Sequence, residues 1–459
     1  MQKQRAETIV AQATPPGPGG VGVVRLSGPD AREILASLFH PAHSGFIGFR
    51  PRFMHHGELL DRGGRAVDEV LAVFFPGPAS FTGEDVAELH CHGSPAVLRE
   101  AVEAAHAAGA RPAERGEFTR RAYLNGKLDL AQAEAVAELI AAPGREAAEQ
   151  ASARLAGMLS GRVDALREEL VHLRTAFCLA VDFPEDEVEC APPDKIGGRL
   201  QSVLQEVRRL TSAAGRGKLV REGALVVLAG RVNAGKSSLL NALLGRERAI
   251  VSECPGTTRD YLEEACLLDG LPARLVDTAG LRETQGEVEL EGVRRSRELL
   301  DAADLALLVL DASAPPFAAE AALAEELGPS RCLVVMNKAD LPGAVDEPPP
   351  EFSGFPWVRV SARSGRGLDT LSRAAREMAE GSAGAAEAAE VAPNRRQARA
   401  LERAAVELEE LLRDQSAGVP PDLLGVRLES ACAALEEVSG RIAPEDVLEE
   451  VFTSFCIGK

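Results

Sequence analysis

Gly230-Arg231-Val232-Asn233-Ala234-Gly235-Lys236-Ser237-Ser238 decides the reading of this chain. The pattern is a glycine, four free positions, then Gly-Lys-Ser. The apolar run Ala224–Ala229 before it reads as a buried strand, and Ser237–Leu244 after it reads as a helix stopped by Gly245. Strand, glycine loop and helix together make a phosphate cradle. Backbone N–H groups can curl around phosphate oxygens, and the helix N-terminus adds partial positive charge. Lys236 can reach the β- and γ-phosphates, and the Ser237 hydroxyl can ligate Mg2+.

Four further motifs follow in order. Ser252-Glu253-Cys254-Pro255-Gly256-Thr257-Thr258 suits a switch segment in which Thr258 completes the Mg2+ shell. Ala273–Asp277 is a strand that delivers Asp277-Thr278-Ala279-Gly280; Asp277 can hold Mg2+ through water and Gly280 can offer its N–H to the γ-phosphate. Cys332–Asp340 ends in Asn337-Lys338-Ala339-Asp340, whose carboxylate can accept two hydrogen bonds from guanine and would be left unpaired by adenine. Ser361-Ala362-Arg363 follows the strand at Trp357–Val360, with the Ala362 N–H aimed at the guanine oxygen. Five motifs in this order predict a doubly wound α/β domain that binds and hydrolyses GTP. The residue after Gly280 is Leu281, an apolar side chain that cannot orient water, and the domain holds no histidine. The carboxylates Glu283, Glu287, Glu289 and Glu291 remain as candidates. Asn233, inside the loop, can offer its amide oxygen to a monovalent cation beside the phosphates.

A length of 459 residues sets a prior of roughly two to four domains. The net charge of −19 gives no bulk footprint of a nucleic-acid binder, so a partner or a local patch must supply any positive surface. The 8 Cys include no Cys-x-x-Cys pair, which speaks against a zinc ribbon or disulfide framework and fits a reducing cytoplasm. No signal peptide is expected at Met1–Thr8, no membrane span anywhere, and no lipidation at Cys456-Ile457-Gly458-Lys459, whose last two residues fit a prenylation box poorly.

Four segments are expected. Residues 1–122 read as a small α+β domain, with strands at Gly20–Leu26, Val67–Phe75 and Asp85–His92 and helices at Asp30–Leu38 and Pro95–Ala108. His90 and His92 share a strand face but lack a third ligand, so they read as structural. Residues 123–215 read as helical: Leu155, Leu159, Val163, Leu166, Leu170 and Leu173 make one stripe, and Ile196, Leu200, Val203, Val207 and Leu210 a second. Gly215-Arg216-Gly217 is expected to hinge into the nucleotide domain, 216–380. After a low-complexity linker, 381–459 is helical again, with helices at Asn394–Arg413, Pro421–Val438 and Pro444–Phe452.

The whole chain resembles the MnmE (TrmE) family of bacterial tRNA-modification GTPases. The likeness rests on Glu7–Gly17, Ser80-Phe-Thr-Gly-Glu-Asp85, Leu124–Glu134, the five nucleotide motifs and the terminal Phe455-Cys-Ile-Gly-Lys459. It implies an N-terminal domain similar to folate-binding domains, which dimerises, a helical domain, and a GTPase domain inserted in it. It further implies that, with the flavoprotein MnmG, the chain places an aminomethyl or carboxymethylaminomethyl group on C5 of the wobble uridine of certain tRNAs. A tetrahydrofolate derivative (5-formyl or methylene) serves as one-carbon source, and FAD and NADH come only through the partner, along with most tRNA contacts. By the same resemblance, Asn233, Ser252, Cys254 and Thr257 are K+ ligands, Ser237 and Thr258 hold Mg2+, and Glu289 orients water. GTPase domains then pair through their switch faces when K+ and GTP are bound. Arg25, Glu84, Lys127 and Lys459 are folate-site residues and Cys456 is needed for modification. The chain departs from the family at Leu290-Glu291, where Arg-Ile is common, at Arg363, where Lys is more usual, and at Pro18, where Arg is common. The competing reading is a regulatory GTPase of ribosome assembly, which would require an RNA-binding module beside the GTPase domain.

Overall fold

The computed structural model describes residues 7–182, 193–246, 263–277, 294, 297–382 and 391–459. They fall into two compact units. One runs up to Ala137 and takes in Ser439–Lys459; the other is Glu138–Val438.

The first unit is built on seven strands: β1 (Ile9–Gln12), β2 (Gly19–Ser27), β3 (Phe39–Pro41), β4 (His55–Leu60), β5 (Ala66–Phe75), β6 (Val86–Gly93) and β7 (Arg111–Pro112), in the order β3-β4-β5-β6-β2-β1-β7. Helices α1 (Ala31–Leu38) and α2 (Pro95–Ala107) cover one face, and Val24, Leu26, Leu35, Leu59, Leu89 and Leu98 are buried between the layers. Each such side chain contributes about 1.5–3 kcal/mol relative to exposure. Gly22 is required there: a Cβ would meet the Leu98 side chain at 2.5 Å. The expected strands and helices of this region are present within a residue or so. The Asp30 cap is not formed by its side chain; its backbone N–H donates to Thr8 Oγ1 (2.9 Å). Beside the sheet, α3 (Glu117–Leu124) and α4 (Leu130–Ala141) pack with the C-terminal helix Glu445–Thr453 around Leu130, Leu448, Phe452 and Phe455, and the Tyr123 hydroxyl donates to Gly440 O (2.7 Å). The tail of the chain thus belongs to the core of the first unit.

In the second unit, α5 (Arg145–Leu155), α6 (Met158–Asp182) and α7 (Pro193–Glu222) pack with the helices Arg395–Ser416 and Pro421–Ser439. Both expected stripes face this core, except that Leu155 closes α5 and the stripe resumes on α6 after Gly157, at φ +84°. The helix Arg395–Ser416 begins with a capping box: the Asn394 side chain accepts from the Gln397 N–H and the Gln397 side chain from the Asn394 N–H, both at 2.9 Å. The expected hinge at Gly215-Arg216-Gly217 does not exist. Helix α7 runs through all three residues to Glu222. Gly217 serves close packing instead, since a Cβ there would meet Ala392 Cβ at 2.4 Å.

One residue after α7 comes the nucleotide fold. Its strands are β8 (Ala224–Ala229), β9 (Glu263–Leu268), β10 (Leu271–Asp277), β11 (Leu305–Asp311), β12 (Cys332–Asn337) and β13 (Trp357–Arg359), in the order β13-β12-β11-β8-β10-β9. All neighbours are parallel except β9, which pairs antiparallel with β10. Alternation on β11 explains the double winding: Leu305, Leu307 and Val309 enter one core, Leu308 and Leu310 the other. A cluster of charges ties this fold to the bundle. Glu146 of α5 meets Arg216 of α7 (3.1 Å) and Arg376 (3.8 Å), and Arg376 meets Glu380 (3.0 Å).

Candidate nucleotide site and the docked C-terminus

The loop Gly230–Ser238 leaves β8 and enters helix α8 (Lys236–Arg246). Two of its glycines have no substitute. Gly230 lies at φ +132° with a would-be Cβ 2.3 Å from Val309 O, and Gly235 at φ +94° with one 2.4 Å from Asn337 Nδ2. Asn233 occupies the left-handed region at φ +66°, which asparagine tolerates better than most residues, and its side chain is exposed. Lys236 is buried, and its ammonium donates to Gly230 O and Arg231 O, both at 2.8 Å, inside the loop. It is held where phosphate oxygens would compete for the same protons.

The strand ends converge on this loop. Ser237 Oγ donates to Asp277 Oδ2 (2.6 Å), so two of the three residues expected at Mg2+ are adjacent, and hydroxyl plus carboxylate is a donor set of hard oxygens that fits a divalent cation. Asn337, buried at the end of β12, donates through Nδ2 to Ala234 O (3.0 Å) and accepts at Oδ1 from the Ala362 N–H (3.1 Å). Its amide therefore splices the phosphate loop to the Ser361-Ala362-Arg363 turn. The Ala362 N–H, expected on guanine, serves this splice. Lys338 donates to Asn233 O and to Asp311 Oδ2, each at 2.6 Å. Burial would push the Asp311 carboxyl up, but Lys338 and Ser313 outweigh it and hold the group below its ordinary range. Asp340 Oδ1 accepts from Ser361 Oγ (2.6 Å), and that bond keeps the exposed carboxylate ionised and below its ordinary value. Ala339 continues the turn, its N–H donating to Val360 O (3.1 Å). Sequence reasoning missed Asp311; the only available signal was a lone acid at the C-terminal end of a wholly apolar strand, in register with Asn337. Ser252, Glu253, Cys254, Pro255, Gly256, Thr257, Thr258, Thr278, Ala279, Gly280, Leu281 and Glu289 lie outside the described residues.

In the first unit, the C-terminal tetrapeptide docks beside the sheet. Ile457 pairs with Arg115, the Phe118 N–H donates to Lys459 O (3.2 Å) and Arg115 Nε to Phe455 O (3.1 Å). Gly458 sits at φ +96°, with a would-be Cβ 2.0 Å from Gln12 O. This brings Lys459 to Arg25. Burial lowers the Lys459 pKa, and the charge of Arg25 lowers it further. Arg25 Nε donates to Glu88 Oε1 (2.8 Å), and the guanidinium lies over the rings of Phe81 (5.6 Å) and Phe118 (5.9 Å). Burial would raise the Glu88 carboxyl, but His90 and Arg25 outweigh it, leaving the group below its ordinary value. Glu84 accepts from Ser27 Oγ (2.8 Å) and Arg121 (2.9 Å); Lys127 Nζ donates to Pro78 O (3.2 Å). Glu88 and Arg121 were not foreseen, because nothing local marks them. Cys456 is exposed, and His92 is paired with Asp68 (2.7 Å). Among the described residues no group of three His, Cys, Asp or Glu side chains could hold a metal ion, and no helix is long and apolar enough to cross a membrane.

A largely parallel sheet with a glycine loop after β8, a hydrogen-bonded serine and aspartate beside it and the Asn337–Asp340 turn at the end of β12 are the arrangement of a GTP hydrolase of the P-loop class. Comparison with known proteins sharpens this. Residues 130–456 match the model of the MnmE helical domain, and residues 8–127 that of the GTP-binding protein TrmE N-terminus. The chain is 54% identical over 459 residues to the tRNA modification GTPase MnmE of Nitratidesulfovibrio vulgaris (strain DP4), covering 99% of this chain and 100% of that one. Over 461 residues it is 42% identical to the protein of that name from Lawsonia intracellularis, covering 99% of this chain and 100% of that one. The corresponding protein of Pseudomonas syringae pv. tomato is 44% identical over 461 residues, 99% of each chain. The chain belongs to the MnmE family of tRNA modification GTPases.

Proposed function

We propose that this GTPase is K+-activated and works in the cytoplasm as a homodimer joined through its N-terminal units, with the flavoprotein MnmG. Together they modify C5 of the wobble uridine of certain tRNAs with a one-carbon unit from a tetrahydrofolate derivative. The observation that carries the reading is the docked C-terminus. Lys459, at one end of the chain, reaches Arg25, near the other, so two cations and the exposed ring of Phe81 gather in one place, over the buried Phe118. That set suits a ligand with an aromatic body and carboxylates, as a folate has. Glu84, fixed by Ser27 and Arg121, offers carboxylate oxygens as acceptors for a pterin's N–H groups. Lys127 adds a further cation to this part of the unit.

On the nucleotide side, Ser237 and Asp277 would hold Mg2+ with Thr258, and Asn233 would hold K+ with Ser252, Cys254 and Thr257. A K+ there supplies the charge neutralisation that an arginine finger supplies elsewhere. Glu289 would orient the attacking water. FAD enters only through MnmG, and the sulfur of Cys456 is free for a role in the modification. GTP turnover in KCl against NaCl tests the K+ reading; equal rates sink it. Binding of 5-formyl-tetrahydrofolate to Arg25→Ala and wild-type chains tests the folate reading, which fails if the two bind alike.

A further inference from the structure

A protein of net charge −19 that acts on tRNA needs cationic surface somewhere. One stretch of the first unit stands apart. Between Glu33 and Glu58 the chain holds no carboxylate, but it holds Arg50, Arg52 and four of the eight histidines, His40, His43, His55 and His56. Most of this stretch is the connection from β3 to β4, and it lines a cavity of about 800 Å3 together with Arg32 of α1.

The cavity wall is aromatic. The His55 ring lies 5.2 Å from Phe46, 5.5 Å from Phe49 and 5.1 Å from Phe53, each edge-on. Its Nε2 accepts from the Arg50 N–H (3.0 Å), and His43 Nδ1 accepts from the Gly45 N–H (2.9 Å), so the backbone fixes the orientation of both rings. Phe53 remains 48% exposed. Arg50, without a carboxylate partner among the described residues, lies over Phe53 (5.2 Å); Arg32, likewise without one, lines the cavity from α1 with its guanidinium over the buried Phe74 (5.6 Å). The exposed Phe53 ring and the half-buried His55 ring beside uncompensated, planar cations form a stacking platform with phosphate-binding groups at its edge. With no carboxylate between Glu33 and Glu58, this stretch is locally cationic, and a polyanion with free base faces complements both its charge and its rings.

We propose that this cavity binds single-stranded RNA, taking unstacked nucleotides of a tRNA loop onto Phe53 and His55, with Arg50 and Arg32 on the flanking phosphates. The inference takes only the RNA's identity from the tRNA-modification family, and its test contains neither GTP nor folate, so failure of the K+ or folate reading leaves it standing. The test is fluorescence anisotropy of the full chain with a labelled oligouridylate and with an unmodified tRNA transcript over a range of salt, alongside sedimentation velocity. Phe53→Ala should weaken both affinities by about tenfold, and Phe53→Tyr should restore them. Arg50→Ala should weaken binding and reduce the salt slope by about one. GTP affinity should stay unchanged in all three. Absence of binding by the wild-type chain, or equal affinity of the wild type, Phe53→Ala and Arg50→Ala, overturns the proposal. So does a loss of RNA affinity that appears only when the copies dissociate, which would make the face an interface between copies.

Discussion

The two sites are made by opposite means. The nucleotide site is built by short-range backbone geometry: one contiguous loop at three left-handed positions, with strand ends of a single sheet brought beside it. The cation cluster around Arg25 is built by long-range closure. Arg25 and Glu88 already face each other across β2 and β6, and Lys459 joins them only because the tail pairs with the Arg115–Phe118 segment. A site of the first kind is robust to events elsewhere in the chain. A site of the second kind exists only while the tail stays docked.

The largest expected effect probes the first kind. Lys236→Ala removes an ammonium already positioned by two carbonyls, and GTP affinity should fall by about 100-fold, the worth of a pair of charged hydrogen bonds. Titration with a fluorescent GTP analogue measures it, and folate binding by the first unit should not change. Gly458→Ala probes the second kind. The new Cβ would collide with Gln12 O at a strained φ, so the tail should be expelled at a cost of about 1–3 kcal/mol. Thermal unfolding of the first unit should move down while GTP affinity holds. If both units respond equally, the contrast between them is wrong. Asp340→Asn should cut the preference for GTP over other nucleotides by about tenfold or more, because one guanine donor loses its acceptor. Competition binding with inosine and xanthosine triphosphates reads it.

The smallest effect is in pH. The Ser361 hydroxyl holds the Asp340 pKa below 3.8. The ionised carboxylate is therefore favoured at all pH values above 3.8, and guanine affinity should be lost only as pH falls through the lowered value. In Ser361→Ala the loss should begin at higher pH, read as a shift in the acid limb of GTP binding.

The same contrast governs what was legible in the amino-acid sequence. Phosphate loop, cation pair and guanine set could be read residue by residue, because each is a local motif at a strand end. Asp311 and Glu88 could not, since each gains its meaning from a cross-strand or long-range partner: Lys338 for one, Arg25 for the other. The docking of Gly458 against Gln12 is likewise silent in the tail's own residues; only the family resemblance grouped Lys459 with Arg25. Gly215-Arg216-Gly217 misled for the converse reason. Two glycines suggest a break, but within α7 the lack of a side chain at Gly217 admits Ala392, and tertiary packing overrides the propensity.

That unbroken helix makes α7 a lever arm. Its 30 residues span about 45 Å at the usual helical rise, so a tilt of about 5° at one end sweeps the other through about 4 Å. Only Gly223 separates it from β8, whose far end opens into the phosphate loop. The joint itself is crowded: Gly223 lies at φ +77°, and a Cβ there would meet Pro272 O at 3.1 Å, so a side chain at this one position would push the shaft away from the sheet.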